Sequence, residues 1–125
     1  MTALETVRAE MVATPAVTAL VGQRIYPQVL PPDMQTMPAV TLTAVSEVPV
    51  NSLNGLAADR LKVARIQVDV YGKTYLEARA AFEAIDSVIA DLSSPILSAY
   101  GDGSQDAFDD ETQRHHVSAD YFVSL

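Results

Sequence analysis

The sequence predicts an α+β fold: a mostly antiparallel β-sheet with one long helix packed across a face, and an N-terminal helical segment. Polar and apolar residues alternate over 39–48, 61–71 and 114–125, which is typical of strands with one buried face. Apolar residues recur every three or four positions over 74–92, which indicates a helix. Strands joined by short turns favour antiparallel pairing. The length of 125 residues predicts a single domain, 1–125.

The N-terminal segment is expected to hold two helices. In the first, Leu4, Val7 and Met11 recur at helical spacing, and Thr2 is a suitable N-cap. The second is expected at 15–21, because a threonine and a proline stand at its start and a glycine follows it.

A proline-rich link over 27–38 leads to the first predicted strand, 39–48. Its four prolines exclude a helix and favour an extended chain. In the strand that follows, Val40, Leu42 and Ala44 are expected to share one face.

The polar stretch over 49–59 predicts a loop or hairpin tip that carries three apolar residues, Val50, Leu53 and Leu56. Apolar side chains on such a loop either fold back onto the core or pack into a neighbouring subunit. These three residues are therefore candidates for a subunit interface.

The second predicted strand, 61–71, changes its alternation near Val63, which indicates a bulge or a switch of face. Beyond that point Arg65, Gln67 and Asp69 form the face opposite the apolar one. A row of a cation, an amide and a carboxylate is either solvated or faces a second subunit. These residues are further interface candidates.

The predicted helix over 74–92 begins after a glycine at the end of the strand. Thr74 and Glu77 have the spacing of a capping box, in which the Thr74 hydroxyl accepts from the Glu77 amide and the Glu77 carboxylate accepts from the Thr74 amide. An unbroken apolar stripe then continues to Leu92 and predicts the face that covers the sheet.

The C-terminal part is expected to contain a strand over 96–101, an acidic turn over 102–112 and a final strand over 114–125. The turn holds the densest group of charges, Asp102, Asp106, Asp109, Asp110 and Glu111. We interpret these carboxylates as a solvated loop, with a weak cation site or an acidic patch facing a partner as alternatives. His115 and His116 should point to opposite faces of the last strand, so they could not bind one metal together.

The composition excludes several classes of function. The chain has 8 basic and 16 acidic residues and a net charge of −8, which argues against binding to nucleic acid or to an anionic membrane. It has no cysteine, hence no disulfide or thiolate metal site. Charges at Glu5, Arg8 and Glu10 interrupt any apolar N-terminal run, so we expect no signal peptide and folding in the cytoplasm.

No catalytic motif is present. The sequence lacks a phosphate-binding G-x-x-x-x-G-K-[ST] loop, and "GDGSQ" has the wrong glycine spacing for a nucleophile elbow. The acidic spacing around it also fails the calcium-loop pattern. We therefore assign no catalytic, cofactor-binding or metal-binding residue, and no cofactor.

Four pieces in order resemble the tail terminator, or tail completion, proteins of long-tailed bacteriophages and gene transfer agents. They are "ALVGQRIYP", "PAVTLTAVSE", "RIQVDVYGKTYLEARAAFEAI" and "HHVSADYFVSL", which together extend over nearly the whole chain. None is a catalytic signature, so the resemblance depends on their order and spacing.

The resemblance implies a virion structural protein that is not an enzyme. Six copies would form a ring at the head-proximal end of the tail tube, assembled in the cytoplasm of the bacterial host. The ring would stop tube polymerisation and contact the tail tube protein and a head connector or stopper protein. DNA would pass through its lumen without specific binding. If such a ring forms, the acidic residues of 102–111 are candidates to line the lumen or its rim.

Other assignments stay open at this point. The chain could be another neck component, such as a stopper, or a subunit of the tube itself. An adaptor that forms dimers is a further alternative. A small-molecule-binding or enzymatic α+β domain would need polar groups that converge on a pocket, and the sequence offers only scattered ones.

Overall fold

A computed structural model describes residues 3–31, 36–50, 61–91, 98–110 and 113–124. They form three helices and five strands. In chain order these are α1 (Ala3–Ala13), α2 (Pro15–Val21), β1 (Ile25–Pro27), β2 (Ala39–Val50), β3 (Leu61–Gly72), α3 (Tyr75–Ala90), β4 (Ser98–Asp109) and β5 (Arg114–Ser124).

The five strands make one sheet in the order β1-β2-β3-β5-β4. β1 runs parallel to β2, and all other neighbours are antiparallel. The sheet is therefore mixed, and the mostly antiparallel prediction is confirmed for four of its strands. β1 was not predicted, because three residues are too short to show an alternating pattern.

The helices form one layer on a single face of the sheet, and all three contribute to the core. The prediction that one long helix covers the sheet is therefore incomplete, because α1 and α2 also pack on it. α3 is the longest of the three helices. The core-facing residues with almost no exposed surface include Val7, Met11, Val17, Val21, Ile85 and Ile89 from the helices, and Val40, Leu42, Ile66, Val68, Val70, Val117 and Val123 from the sheet.

The bulge or switch of face expected near Val63 in the second strand is wrong. β3 pairs with β5 without interruption from Val63 to Gly72, and the irregularity lies in β2, between Ala44 and Ser46. Val63, whose apolar side chain suggested the change of alternation, lies on the same face of β3 as Arg65, opposite Val48. Beyond the bulge, β2 stays paired with β3 as far as Val50 and Leu61, and β5 joins β3 from Val63 onward.

The start of α3 confirms the predicted cap with one change. The Thr74 hydroxyl accepts a hydrogen bond from the Glu77 amide at 3.1 Å. The Glu77 carboxylate, however, accepts from the Lys73 amide at 3.3 Å, one residue earlier than predicted. Gly72 lies where a Cβ would stand 2.7 Å from the Ala78 nitrogen, so a glycine lets α3 pack directly on the end of β3.

The predicted acidic turn over 102–112 is wrong for most of its length. β4 extends through this segment and pairs with β5 as far as Asp109, with an irregularity between Gly101 and Ser104. Polar residues are tolerated here because β4 pairs with one described strand only, and Gly103 to Asp110 are all exposed.

Candidate assembly surfaces

The face of the sheet away from the helices carries polar side chains of β3 and β5. We call it the open face. Arg65, Gln67 and Asp69, predicted to share one face, lie on it, and the β5 residues directly opposite them are Phe122, Asp120 and Ser118. The prediction that the two histidines point to opposite faces is consistent with their contacts, since His116 joins the open face and His115 does not.

The polar groups of the open face bind one another. Arg65 Nη2 donates to Asp120 Oδ2 at 2.7 Å. Gln67 Nε2 donates to both carboxylate oxygens of Asp69, at 3.2 and 3.3 Å, and to Ser118 Oγ at 3.2 Å. The Arg65–Asp120 and Gln67–Ser118 pairs cross from β3 to β5 and join the two strands through their side chains as well as through the backbone.

Asp69 is the buried centre of this network. His116 Nε2 lies 2.7 Å from Asp69 Oδ1, and the imidazole stacks on the Tyr71 ring with 4.7 Å between ring centroids. Burial of Asp69 opposes its ionisation, but hydrogen bonds from His116, Ser118 and Gln67 outweigh burial and lower the pKa of the carboxyl. Hydrogen bonds among His116, Gln67 and Ser118 thus compensate the buried charge of Asp69.

The second surface is the end of the β2-β3 pair beyond the bulge, which we call the arm. It consists of residues 45–50 and 61–65. The predicted interface residue Val50 is the last residue of β2, whereas Leu53 and Leu56 lie outside the described residues. The arm carries two apolar side chains that sequence reasoning did not select, Val45 and Val48, which are 49% and 57% exposed.

The third surface is an apolar patch at the opposite end of the sheet, formed by Tyr75, Leu76, Phe108 and His115. The His115 ring lies 4.7 Å from that of Phe108 and 6.3 Å from that of Tyr75, measured between centroids. Leu76, in the first turn of α3, is 76% exposed. The alternating pattern of β5 placed His115 on the helix side, but no sequence signal joined it to Phe108, which lay in a predicted turn.

The acidic candidates do not form a metal site in the part of the chain that the structure describes. Asp106 accepts from Arg79 at 3.3 Å, and Asp109 and Asp110 are exposed. Asp102 lies in β4, and Glu111 is outside the described residues. No group of three acidic, histidine or cysteine side chains that could hold a metal occurs among the described residues.

A shallow cavity between α3 and β4 contains the other notable polar pair. The Tyr121 hydroxyl donates to Asp86 Oδ1 at 2.6 Å. Burial of the phenol, followed by the hydrogen bond and charge of Asp86, raises the pKa of Tyr121, so it remains a protonated donor. The pair ties α3 to β5 and is structural in character.

Comparison with known proteins identifies the family of the chain. The sequence model of the family described as "Tail completion protein gp17" matches residues 5–123, almost the whole chain. The chain belongs to the tail completion protein family.

Membership of the tail completion family makes the chain a structural component of a phage-type virion tail. The fold agrees: a chain from a solved structure, "Virion of native gene transfer agent (GTA) particle", superposes with a TM-score of 0.74. The alignment covers 98% of this chain and 92% of that one at 17% sequence identity, which supports a shared fold. No curated protein matches the chain.

As a tail completion protein, the chain is best understood through its surfaces. None of the helices among the described residues is long and apolar enough to cross a membrane. The arm, the apolar patch and the open face are the features that a subunit of an assembly can use, and the arm and the patch lie at opposite ends of β3.

Proposed function

We propose that this chain forms a hexameric ring at the head-proximal end of the tail tube. The ring terminates polymerisation of the tube and joins the tail to the head connector, and DNA passes through its lumen. Its partners are five further copies of the chain, the tail tube protein and a connector or stopper protein. The chain catalyses no reaction in this role.

The proposal rests on the exposed apolar side chains of the arm, in a chain that belongs to the tail completion family. Val45 and Val48 are about half exposed at the end of the β2-β3 pair, beyond the bulge. An isolated subunit gains no stability from apolar surface left in water, whereas a subunit of an assembly buries it. Val50, at the end of the same strand, and Leu53 and Leu56, which follow it in sequence, extend this proposed interface.

The charge of the chain supports passage of DNA. Each copy carries a net charge of −8. Asp106, Asp109 and Asp110 are exposed and lie close together in the sequence. Carboxylates at the lumen or its rim would repel the phosphate backbone and remove sites where DNA could adhere during ejection. We include Asp102 and Glu111 in this proposed acidic rim on the basis of their sequence positions.

Removal of the chain from particle-producing cells tests the termination role. Electron microscopy of the tails should show tubes of uncontrolled length without attached heads, and the wild-type gene supplied in trans should restore normal tails. Tubes of normal length that lack heads would instead indicate a stopper. A complete loss of tubes would indicate a tube subunit, and either result would contradict termination.

The mass of the purified chain tests the ring. A ring predicts a species of six subunits at high concentration or in the presence of tail tube. Leu53→Asp is expected to leave the subunit folded and to weaken this assembly. If circular dichroism shows that the variant unfolds, Leu53 belongs to the core and the interface assignment is wrong.

A further inference from the structure

We propose that neighbouring copies meet head to tail, with the arm of one copy packed on the apolar patch of the next. The arm contributes Val45 and Val48, and the patch contributes Tyr75, Leu76 and Phe108. This inference rests on the proposed ring and adds which two surfaces form the contact between its subunits.

The distribution of exposed apolar side chains supports this pairing. In the part of the chain that the structure describes, seven large apolar side chains are exposed, and five of them belong to the arm or to the patch. Large exposed apolar groups that cluster at two places mark interaction sites more strongly than the same groups scattered singly. Both clusters gain the same benefit from contact, removal of apolar surface from water.

The positions of the two surfaces require a second copy. Val48 pairs with Val63 near the start of β3, whereas the patch surrounds Gly72 at its end, where Gly72 pairs with His115. Nine residues of strand separate the two ends, about 30 Å at roughly 3.3 Å per residue. An arm cannot cover the patch of its own copy, so each chain offers one donor surface and one acceptor surface.

Two different surfaces that meet form a heterologous contact. Such contacts repeat from copy to copy and produce a closed ring when the rotation between copies closes. Contact between two arms would instead form an isologous dimer and would leave every patch uncovered. The presence of both surfaces on one chain therefore favours the repeating arrangement, with a second copy of this chain as the occupant of the patch.

The charges at the margins are complementary. Glu47, between Val45 and Val48 in the sequence, is exposed on the arm. Lys73, two residues before Tyr75, is exposed near the patch. Opposite charges at the rim favour the head-to-tail register over pairing of like surfaces.

Crosslinking in assembled tails tests the contact, and the absence of native cysteine makes the chain well suited to it. A chain with both Val48→Cys and Leu76→Cys is incorporated into particles and treated with a bismaleimide reagent. Arm-to-patch contact predicts a ladder of crosslinked species on a denaturing gel, from the dimer up to the full ring. Each single-cysteine chain should give monomer.

A matched control uses Val29, which is 73% exposed and belongs to neither surface. The double variant Val48→Cys with Val29→Cys should give no ladder above that of the single variants. An equal ladder in this control, or no ladder from the arm-and-patch pair, would overturn the head-to-tail contact. Dimer from Val48→Cys alone would do the same and would indicate contact between arms.

The same preparation separates the two proposals. Absence of the chain from purified tails would reject the ring at the tube end, whatever the crosslinks show. Its presence in tails without an arm-to-patch crosslink would leave the ring in place and reject only this contact. Circular dichroism of each variant before assembly confirms that the exposed substitutions leave the subunit folded.

Discussion

Replacement of Gly72 tests how the end of β3 is fitted to α3. A Cβ at this position would lie 2.7 Å from the Ala78 nitrogen and 3.0 Å from both its Cα and its Cβ. Ordinary contacts begin at 3.4 Å, so the start of α3 would have to retreat by several tenths of an ångström. The obstacle is backbone as well as side chain, which leaves no flexible group to move aside. We therefore expect Gly72→Ala to destabilise the subunit.

Two opposing effects set the magnitude. Overpacking a well-filled core costs about 1–3 kcal/mol. Alanine also lowers the conformational entropy of the unfolded chain, which stabilises the folded state by about 0.4–1 kcal/mol where the folded backbone suits alanine. The net expectation is a loss of about 1–2 kcal/mol in the free energy of unfolding, measured by urea denaturation followed by circular dichroism.

The dependence on side-chain size distinguishes this cause from backbone strain. At Gly72 the loss should increase from alanine to serine to valine, because each added atom approaches α3. Gly103 is the control, since its φ of +90° disfavours any L side chain while nothing lies within 4 Å of its added Cβ. Alanine and serine should therefore cost about the same at Gly103. A Gly72→Ala variant as stable as wild type would refute the proposed close packing.

Three further substitutions test single contacts by the same unfolding assay. Thr74→Ala removes the cap of α3 and should cost about 1 kcal/mol, whereas Thr74→Asp keeps an acceptor and should cost less; equal losses would argue against capping. Tyr121→Phe removes the donor to Asp86 and should cost about 1–2 kcal/mol, and an unchanged midpoint would show that the bond adds no stability. The folded-state pKa of Asp69 is lowered, so its ionised form stabilises the fold above about pH 4, and this contribution disappears as the pH falls through the lower folded value. Asp69→Asn should therefore flatten the acid loss of stability, and a slope equal to that of wild type would contradict the network.

The elements that the sequence predicted well carry their signal locally. β5 alternates apolar and polar residues from His116 to Tyr121, and its buried residues lie on the apolar face that this alternation selects. α3 has its apolar stripe and a capping threonine, and α2 has a proline at its first turn and a glycine at its end. In each case residues close together in the sequence show both the apolar periodicity of the element and the residues that begin or end it.

The sequence predicted that Arg65, Gln67 and Asp69 share one face of a strand, but it did not predict which residues of β5 they contact. Asp120 lies 55 positions from Arg65, and His116 lies 47 positions from Asp69. These contacts depend on the register between β3 and β5, which no local pattern encodes. The same reason explains why the apolar patch was missed, since it joins residues of α3, β4 and β5.

By itself the sequence determined which segments are strands and which are helices, from their periods of two and about 3.6 residues. It also determined the buried faces of β5 and α3, the acidic charge and the absence of a catalytic motif. Only the tertiary structure decided that β1 joins the sheet in parallel, that the acidic segment is a strand beside β5, and that the bulge lies in β2. Helical and strand periods arise from the geometry of adjacent residues, so the chain displays them directly. Strand partners and exposed surfaces depend on segments far apart in the chain, and they exist only once the sheet has formed.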